Sequence, residues 1–519
     1  MRARIQAWLD ERFPMGKVRD FLQHQARKAL PAHTTWWHTL GSLLLYLTVS
    51  QIVTGVLLMV YYRPTPEAAF ESVGYITTGA NFGWLVRGLH AWGATVTIAL
   101  LVAHMLRTFL MGTYKKPREL TWVIGVLIFG IVLMFSFTGY LLPWDQLSYW
   151  GTVIGTEITG ALPAVGGAIK ELVRGGEAVA NETLGRFYVV HVAVLPWVLA
   201  GLVAFHLVLV RLFNLAPLTP VGDEKFDERR GVRFFPEHVA RESIVFMVFL
   251  ASLVALVFFA PPELGERANP LKTPEGIKPE WYFLPTYQLL KYFPKLLGLI
   301  ISFVPMALLV LWPFLDRGRE RHPRKRRWAV ALGAFALLAP LVLGVLGHVS
   351  ERTFIVQGAR IHFDILGRPS VVGEVLPPER RPQLAIATTV EEGKRMIVTT
   401  VTQGGEPVEG ARVELVTRSE RGRLVLGQDE TIDDGTAAVP FPEKAEGDAN
   451  GELTVTTTVT APETIAGYSA RARLPGAMPR THEWWTRACP ESAALLAAIL
   501  AAGLFTALVF RRLAREPGV

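Results

Sequence analysis

Eight apolar segments, each long enough to cross a lipid bilayer, run through the chain. A helix needs about 20 apolar residues to cross a hydrocarbon core of about 30 Å, and a helix also satisfies its own backbone hydrogen bonds there. Half of the 519 residues are hydrophobic, which is more than expected of an ordinary soluble chain of this length. The sequence therefore predicts an all-α membrane helical bundle. Its predicted spans lie at about residues 40–62, 89–111, 121–142, 187–211, 243–260, 297–315, 327–348 and 490–511.

The basic residues, which give the chain a formal net charge of +8, are concentrated in short loops between the spans. Cytoplasmic loops of membrane proteins carry an excess of lysine and arginine, so these loops and both chain termini are predicted to be cytoplasmic. The charge is not gathered on a soluble face with interleaved aromatic residues, so no nucleic-acid partner is expected. The basic loops contain Lys115, Lys116 and Arg118 after the second span, Arg229, Arg230, Arg233 and Arg241 after the fourth, and the stretch from Arg317 to Arg327 after the sixth.

Five regions follow from this pattern. Residues 1–35 lack the apolar core of a secretory signal and mix aromatic with charged residues, which is typical of a cytoplasmic interfacial segment. Residues 36–215 hold four spans, and residues 216–350 hold three. Residues 351–486 contain alternating runs rich in β-branched residues, which predict an extracytoplasmic, β-sandwich-like domain. Residues 487–519 are predicted to form a C-terminal transmembrane helix with a short cytoplasmic tail.

Two features limit the chemistry outside the spans. The β-rich region shows no catalytic constellation, so it is either a docking surface for a partner subunit or an outer cap. Cys489 is the single cysteine, which excludes an intramolecular disulfide, a thiolate-bound iron–sulfur cluster and a structural zinc site within the chain.

Four histidines lie inside predicted spans. His90 and His104 are fourteen residues apart in the second span, and His191 and His206 are fifteen apart in the fourth. These intervals return to nearly the same helix face, about 21–23 Å along it, so two facing helices would offer two histidine pairs. Each pair suits the iron of a b-type heme held by two imidazoles. A lone buried histidine is more often a satisfied core residue, and intramembrane histidines also serve as proton relays in transporters, but two matched pairs favour heme.

Four glycines repeat the fourteen-residue interval, and two arginines lie close to the histidines in the chain. Two glycines in the first span and two in the third are again fourteen residues apart, which would let a flat macrocycle approach the backbone, although glycine pairs also serve helix packing. Two arginines, each three residues from a histidine, are candidates for pairing with heme propionates or for reaching the membrane surface. These residues are Gly41, Gly55, Gly125 and Gly139, and Arg87 and Arg107.

Around these residues the sequence resembles the cytochrome b family of cytochrome bc complexes. The likeness runs from about residue 33 to about residue 347 and is strongest to cytochrome b6 fused to its partner subunit IV, with a C-terminal extension. It rests on YYRPT at 61–65, ANFGW at 80–84, KPRELTW at 116–122, TGYLLPWDQ at 138–146 and PEWY at 279–282.

The resemblance implies a diheme four-helix bundle followed by three further spans. His90 and His191 would hold the heme near the outer face, and His104 and His206 the heme near the inner face. Quinol would be oxidised at the outer face, at a site formed by the PEWY loop. Glu280 would be the proton acceptor there, and Tyr282 would hold the quinol. The remaining quinone-binding candidates are Pro279 and Trp281 in this loop, and Arg118 and Arg211 at an inner quinone site.

The resemblance also implies partners and a place in the cell. The chain would be the quinol-oxidising subunit of a quinol:cytochrome c oxidoreductase, inactive alone and contributing to proton translocation. Its partners would be a Rieske-type iron–sulfur subunit, a c-type cytochrome, quinone, membrane lipid and a second copy of the complex. It would lie in a bacterial inner (cell) membrane.

The chain departs from cytochrome b6 at two points. Thr39 stands where that family has a cysteine that anchors a further heme, so a covalent c-type heme is not expected on this chain. The β-rich region and the last span have no counterpart in the two subunits. Two alternatives remain open: the b subunit of a formate dehydrogenase or hydrogenase, and a transporter or membrane scaffold.

Overall fold

The computed structural model describes residues 34–478, apart from 224–231, 275, 357–358, 373–374, 392, 420–421, 443–446, 449 and 463, together with isolated positions before residue 34. Two predictions fall outside these residues. One is the eighth span at 490–511, and the other is most of the interfacial segment at 1–35. Cys489 also lies outside them.

Seven helices in the described part of the chain are long and apolar enough to cross a membrane. They correspond to the first seven predicted spans, so the helical membrane fold is confirmed. Four of them begin four to six residues before the predicted apolar segment, because their first turns are too polar for an apolar run to reveal. In chain order the helices are α1 Trp36–Met59, α2 Ala69–Thr78, α3 Gly83–Leu110, α4 Glu119–Leu141, α5 Gln146–Thr159, α6 Gly166–Arg174, α7 Asn181–Phe213, α8 Val239–Phe259, α9 Leu284–Lys291, α10 Lys295–Leu315 and α11 Arg327–Val349.

The first four long helices pack as two pairs. Helix α1 lies along α3, and α4 lies along α7, while α3 also contacts α4. Each histidine-bearing helix, α3 or α7, is thus paired with a glycine-bearing helix. Helix α8 packs on α3, α10 packs on α4, and α11 packs on α9 and α3, so the three later spans surround the four-helix bundle rather than forming a separate body.

One face of the bundle is organised around the turn between α4 and α5. The loop between α8 and α9 docks on this turn through backbone bonds from Gln146 N to Glu266 O (2.7 Å) and from Ala268 N to Trp144 O (3.0 Å). The Asp145 side chain accepts bonds from Ser148 N at the start of α5 and from Gly265 N in the docked loop (2.8 and 3.1 Å). This face therefore carries the loop that contains residues 279–282.

The opposite face is held by a buried ionic cluster centred on Asp316. Its carboxylate lies 2.7 Å from Lys115 Nζ and 2.7 Å from Arg326 Nη2, and both cations are almost fully buried. Burial alone would raise the pKa of the Asp316 carboxyl, but hydrogen bonds from Lys115, Tyr114 and Arg326 outweigh burial and lower it. The cluster joins the loop after α3 to the loop between α10 and α11, so two of the predicted basic loops lie on one face.

The residues after α11 form the β structure that the alternating runs predicted. The strands of the described residues are β1 Ala29–Leu30, β2 Val232–Arg233, β3 Arg352–Val356, β4 Ala359–Phe363, β5 Pro369–Val371, β6 Pro382–Glu391, β7 Lys394–Gln403, β8 Glu406–Pro407, β9 Arg412–Ser419, β10 Gly422–Glu430, β11 Thr436–Pro440, β12 Glu452–Ala461 and β13 Ser469–Pro475. A three-stranded meander, β3-β4-β5, leads into two four-stranded antiparallel arrangements that pack face to face, β10-β9-β12-β13 and β11-β7-β6 with β8 beside β7. The core between them includes Ile397, Val401, Leu415 and Val455, all fully buried.

We expect Asp316→Asn to lower the free energy of unfolding by about 3 kcal/mol, because it leaves two buried cations without the carboxylate that they share. Thermal unfolding of the purified protein in detergent measures the change. Asp223→Asn is the matched control, since Asp223 pairs with Arg319 at 3.3 Å but both side chains are mostly exposed, and such pairs contribute little. Equal unfolding temperatures for wild type and Asp316→Asn would contradict the prediction.

Candidate functional site

His90 on α3 and His191 on α7 face each other across the bundle. Their ring centres lie 6.4 Å apart. Two imidazole nitrogens that are each about 2 Å from a shared metal ion put the two ring centres about 6 Å apart. The pair therefore has the separation that one ion ligated from both sides requires.

Two threonines fix which nitrogen of each ring is free. Thr54 Oγ1 lies 3.0 Å from His90 Nδ1, and Thr138 Oγ1 lies 3.1 Å from His191 Nδ1. Each hydroxyl already donates its hydrogen to the carbonyl four residues earlier in its own helix (2.7 and 2.8 Å). It can only accept from the imidazole, so Nδ1 carries the proton and Nε2 keeps a lone pair for a metal.

These threonines were not identified from the sequence. A signal for them exists, because Thr54 and Thr138 each directly precede one of the predicted glycines, Gly55 and Gly139. The same dipeptide does not occur at the other two glycines. The Thr-Gly dipeptide thus marks the His90–His191 pair, whose rings bind threonine hydroxyls, and distinguishes it from the His104–His206 pair.

All four predicted glycines face a predicted histidine. Since glycine lacks a β-carbon, each ring can lie directly against the neighbouring helix backbone. Gly130, in the same helix as two of them, has no described residue within 4 Å of where its β-carbon would be. A β-carbon added at the four positions would lie 3.5 Å from His104 Cε1 at Gly41, 3.4 Å from His90 Cε1 at Gly55, 3.6 Å from His206 Cε1 at Gly125 and 2.6 Å from His191 Cε1 at Gly139.

The second pair, His104 and His206, lines a cavity of about 1500 Å³. Pockets for one small molecule usually measure about 300–1,000 Å³, so this cavity has room for a macrocycle and for a further ligand. Arg107 lines it as well, and its Nε atom is buried without a hydrogen-bond partner among the described residues. A guanidinium whose buried Nε lacks such a partner fits an anionic group such as a heme propionate.

The structure gives Arg87 and Arg107 contacts that the sequence did not indicate. Arg87 donates to Pro262 O and Glu263 O (2.8 and 3.2 Å), so it ties α3 to the loop after α8. Arg107 contacts the ring of His38, which also lines the cavity. Their pairing with propionates stays a prediction.

Arg118 and Arg211, the predicted inner quinone ligands, line the same cavity. Arg118 donates to Phe213 O and Asn214 O (2.7 and 3.1 Å), which are among the unpaired carbonyls at the end of α7. The Arg211 guanidinium lies 5.8 Å from the centre of the Phe234 ring. The structure thus brings both arginines to the cavity that His104 and His206 line.

The PEWY residues lie beside the His90–His191 pair. The Phe283 ring, which directly follows the motif, stacks edge to face on Phe137 of α4 at 6.2 Å and on Tyr282 at 4.8 Å. Phe137 precedes the threonine that binds His191. The Glu280 carbonyl accepts bonds from Phe283 N and Leu284 N (2.8 and 3.1 Å), which fixes the motif to the start of α9.

The environment of Glu280 favours its neutral form. Burial raises the pKa of the Glu280 carboxyl, and the nearby negative charge of Asp145 raises it further. Burial also raises the pKa of the Tyr282 hydroxyl, with Glu280 adding to the effect. A carboxyl whose pKa is raised towards neutrality can accept and release a proton at working pH. Asp145 was not identified from the sequence as part of the site.

Two family models match the chain. One, described as cytochrome b/b6/petB, matches residues 25–214, and the other, described as cytochrome b(C-terminal)/b6/petD, matches residues 267–363. All four histidines lie in the first range, and the PEWY motif lies in the second.

Individual proteins and a solved structure give the same match. A cytochrome bc complex cytochrome b subunit from Chlorobaculum thiosulfatiphilum is 40% identical over 324 residues, which cover 61% of this chain and 74% of that protein. A cytochrome b/c1 from Bradyrhizobium diazoefficiens is 32% identical over 444 residues, which cover 83% of this chain and 62% of that protein. A solved structure named hyperthermophilic respiratory Complex III matches with a TM-score of 0.61 and 34% identity, covering 66% of this chain and 91% of that chain.

We expect Gly139→Ala to lower the heme content, because the added methyl group would lie 2.6 Å from His191 Cε1 and would push the ring from its place. The absorbance of the purified protein, expressed as heme per polypeptide, measures this. Gly130→Ala is the matched control in α4, where alanine meets no described neighbour and favours the helix by about 1 kcal/mol. Full heme content in Gly139→Ala would contradict the assigned role of the glycine.

Proposed function

The chain belongs to the cytochrome b family, and from this premise we propose that it is the quinol-oxidising, diheme subunit of a bacterial quinol:cytochrome c oxidoreductase of the bc type. Quinol would be oxidised at the face of the PEWY loop, and electrons would reach an inner quinone site at the opposite face. The two reactions together would contribute to proton translocation. One observation carries the proposal. The His90–His191 pair has the separation that a shared iron requires, and it lies beside a loop with a half-buried carboxyl, Glu280.

The residues present fit two b-type hemes. Two imidazoles would hold each iron, and this donor set suits electron transfer rather than oxygen binding. Glycines free space beside each of the four rings, and Arg107 offers a buried donor without a partner among the described residues. Bound by His90 with His191 and by His104 with His206, the hemes would supply one-electron transfer between the two quinone sites.

At the outer site, Glu280 would accept a proton from a quinol hydroxyl. Oxidation of a quinol to a quinone releases two electrons and two protons, so the site needs a base that is deprotonated before the quinol arrives. Burial and Asp145 hold the pKa of Glu280 above its ordinary value, which brings the carboxyl closer to the optimum for a general base. Tyr282 and the other PEWY residues, Pro279 and Trp281, would hold the quinol ring.

At the inner site, Arg118 and Arg211 would bind the quinone that receives electrons. Both line the cavity of the inner histidine pair, which supports a quinone close to that heme. Arg118 is held by the carbonyls at the end of α7, so its guanidinium is positioned in advance.

The proposed partners and orientation follow from the family and from the two faces of the fold. An iron–sulfur subunit of the Rieske type would take one electron at the PEWY face and pass it to a c-type cytochrome, and two copies of the complex would form a dimer. The basic loops at 115–118 and 316–327 lie opposite the PEWY loop, which supports a cytoplasmic position for them and for both termini. The β domain, residues 350–478, follows α11 on the PEWY face and would be extracytoplasmic in a bacterial inner membrane.

We expect the purified protein to show two b-type hemes in its reduced-minus-oxidised spectrum, and His206→Ala to lose one of them. The variant would remove one of the two histidines proposed to hold the inner heme, while the outer pair is about 20 Å away along the helices. His238→Ala is the control, because His238 lines the same cavity but its Nε2 pairs with Glu242 at 3.0 Å. Two hemes in His206→Ala would refute the ligand assignment, and a colourless wild-type protein would favour a transporter or scaffold.

We expect Glu280→Gln to slow quinol oxidation about 100-fold while both heme spectra stay unchanged, since general bases contribute about 100-fold or more. The wild-type rate should rise as pH increases through the raised pKa of Glu280, because only the carboxylate accepts a proton. The glutamine variant should lack this rise. Steady-state rates across pH test the role of Glu280 as proton acceptor. Glu67→Gln is the control, because Glu67 is exposed. A wild-type rate in Glu280→Gln would exclude the role.

A further inference from the structure

Lys278, two residues before Glu280, is buried at the end of a neighbouring span. Only 8% of its surface is exposed. Its ammonium donates to His348 O at 2.9 Å and to Ser350 O at 2.6 Å, and these carbonyls end α11. The last carbonyls of a helix have no partners within the helix and carry partial negative charge, so a buried cation is stabilised there at a fixed position.

A second anchor lies at the other end of the PEWY segment. Gln288 on α9 is fully buried. Its Nε2 donates to Ile365 O at 2.7 Å, and its Oε1 accepts from Ser350 Oγ at 2.9 Å. Tyr292 OH donates to the same Ile365 carbonyl at 3.2 Å. Residues 279–287 are thus tied at both ends to the segment that begins the β domain.

Part of this anchoring lies beyond the matched family region. The second family model ends at residue 363, whereas Ile365 belongs to the turn between β4 and β5. This turn also lies close to the membrane part, because a β-carbon at Gly367 would lie 2.6 Å from the Leu346 side chain of α11. Through Ile365 the turn contacts Gln288 and Tyr292, which follow the PEWY motif along the chain.

From these contacts we infer that Lys278 is a positioning residue for Glu280, and that the turn of residues 364–368 completes a clamp by which the β domain holds the PEWY loop in its active position. The inference rests on the proposed function. It assigns the β domain a part in quinol oxidation that neither an outer cap nor a docking surface would have.

The charges around Lys278 make the clamp sensitive to pH. Burial lowers the pKa of Lys278 to about 8, the positive charges of Arg352 on β3 and Lys291 on α9 lower it further, and Glu351 opposes them. Below this pH the ammonium binds the two carbonyls with charge-assisted hydrogen bonds. Above it the neutral amine binds them more weakly, and the loop loses its fixed position.

The test compares Lys278→Met with Lys278→Arg in the purified complex, using decylubiquinol and menadiol as probe quinols and a soluble c-type cytochrome as acceptor. We expect Lys278→Met to lower the turnover per heme about tenfold with unchanged heme spectra. We also expect the wild-type rate to decline above about pH 8, and this decline to be absent in Lys278→Met. Lys278→Arg should restore the rate at pH 7 and move the decline to higher pH, because arginine stays charged. Lys272→Met, an exposed lysine of the same loop, is the matched control and should behave as wild type.

A second variant tests the turn independently. Gln288→Met keeps a similar volume but removes the bonds to Ile365 and Ser350, and we expect a fall in turnover per heme in the same direction. Wild-type turnover per heme in both Lys278→Met and Gln288→Met would overturn the clamp, as would an equal loss in Lys272→Met, which would reveal a general effect of charge. A wild-type complex that oxidises neither quinol would remove the proposed function, and the clamp with it.

Discussion

An imidazole in the middle of a membrane-spanning helix needs a partner, because lipid offers neither water nor a counter-charge. The bundle is arranged around four such rings. Glycines on α1 and α4 leave room for them. Threonine hydroxyls bind Nδ1 of His90 and His191, so Nε2 of each ring stays free for a metal. The proposed ligation of heme would account for the paired rings, the glycines beside them and the threonines together.

The uneven spacing of the histidines has a local explanation. His191 lies in a π-helical turn, Val190–Val194, just before Pro196. Proline lacks an N–H and its ring collides with the carbonyl four residues earlier, and a π turn relieves this by admitting one extra residue. The fifteen-residue interval in α7 therefore becomes equivalent to the fourteen-residue interval in α3. The sequence predicted two matched pairs from the spacing alone, but not the turn that makes them match.

What could be predicted from the sequence was local or periodic. Apolar runs located the seven described spans, alternation located the β domain, and equal intervals selected the glycines that face the histidines. Contacts between distant parts of the chain carry no periodic signal, so the Asp316 cluster and the anchoring of Lys278 at the end of α11 were not foreseen. Both lie where the bundle meets its loops. One joins two basic loops at the face opposite the PEWY loop, and the other joins the residue before the PEWY motif to the end of α11.

Low-temperature electron paramagnetic resonance of the oxidised protein, together with the heme-to-polypeptide ratio, tests whether paired histidines hold two hemes. We expect two hemes per chain, with two low-spin signals typical of iron between two imidazoles. The two signals should differ from each other, because threonine hydroxyls bind both rings of the His90–His191 pair and the Thr-Gly dipeptide is absent beside His104 and His206. One heme per chain, or a high-spin iron with an open coordination position, would contradict it.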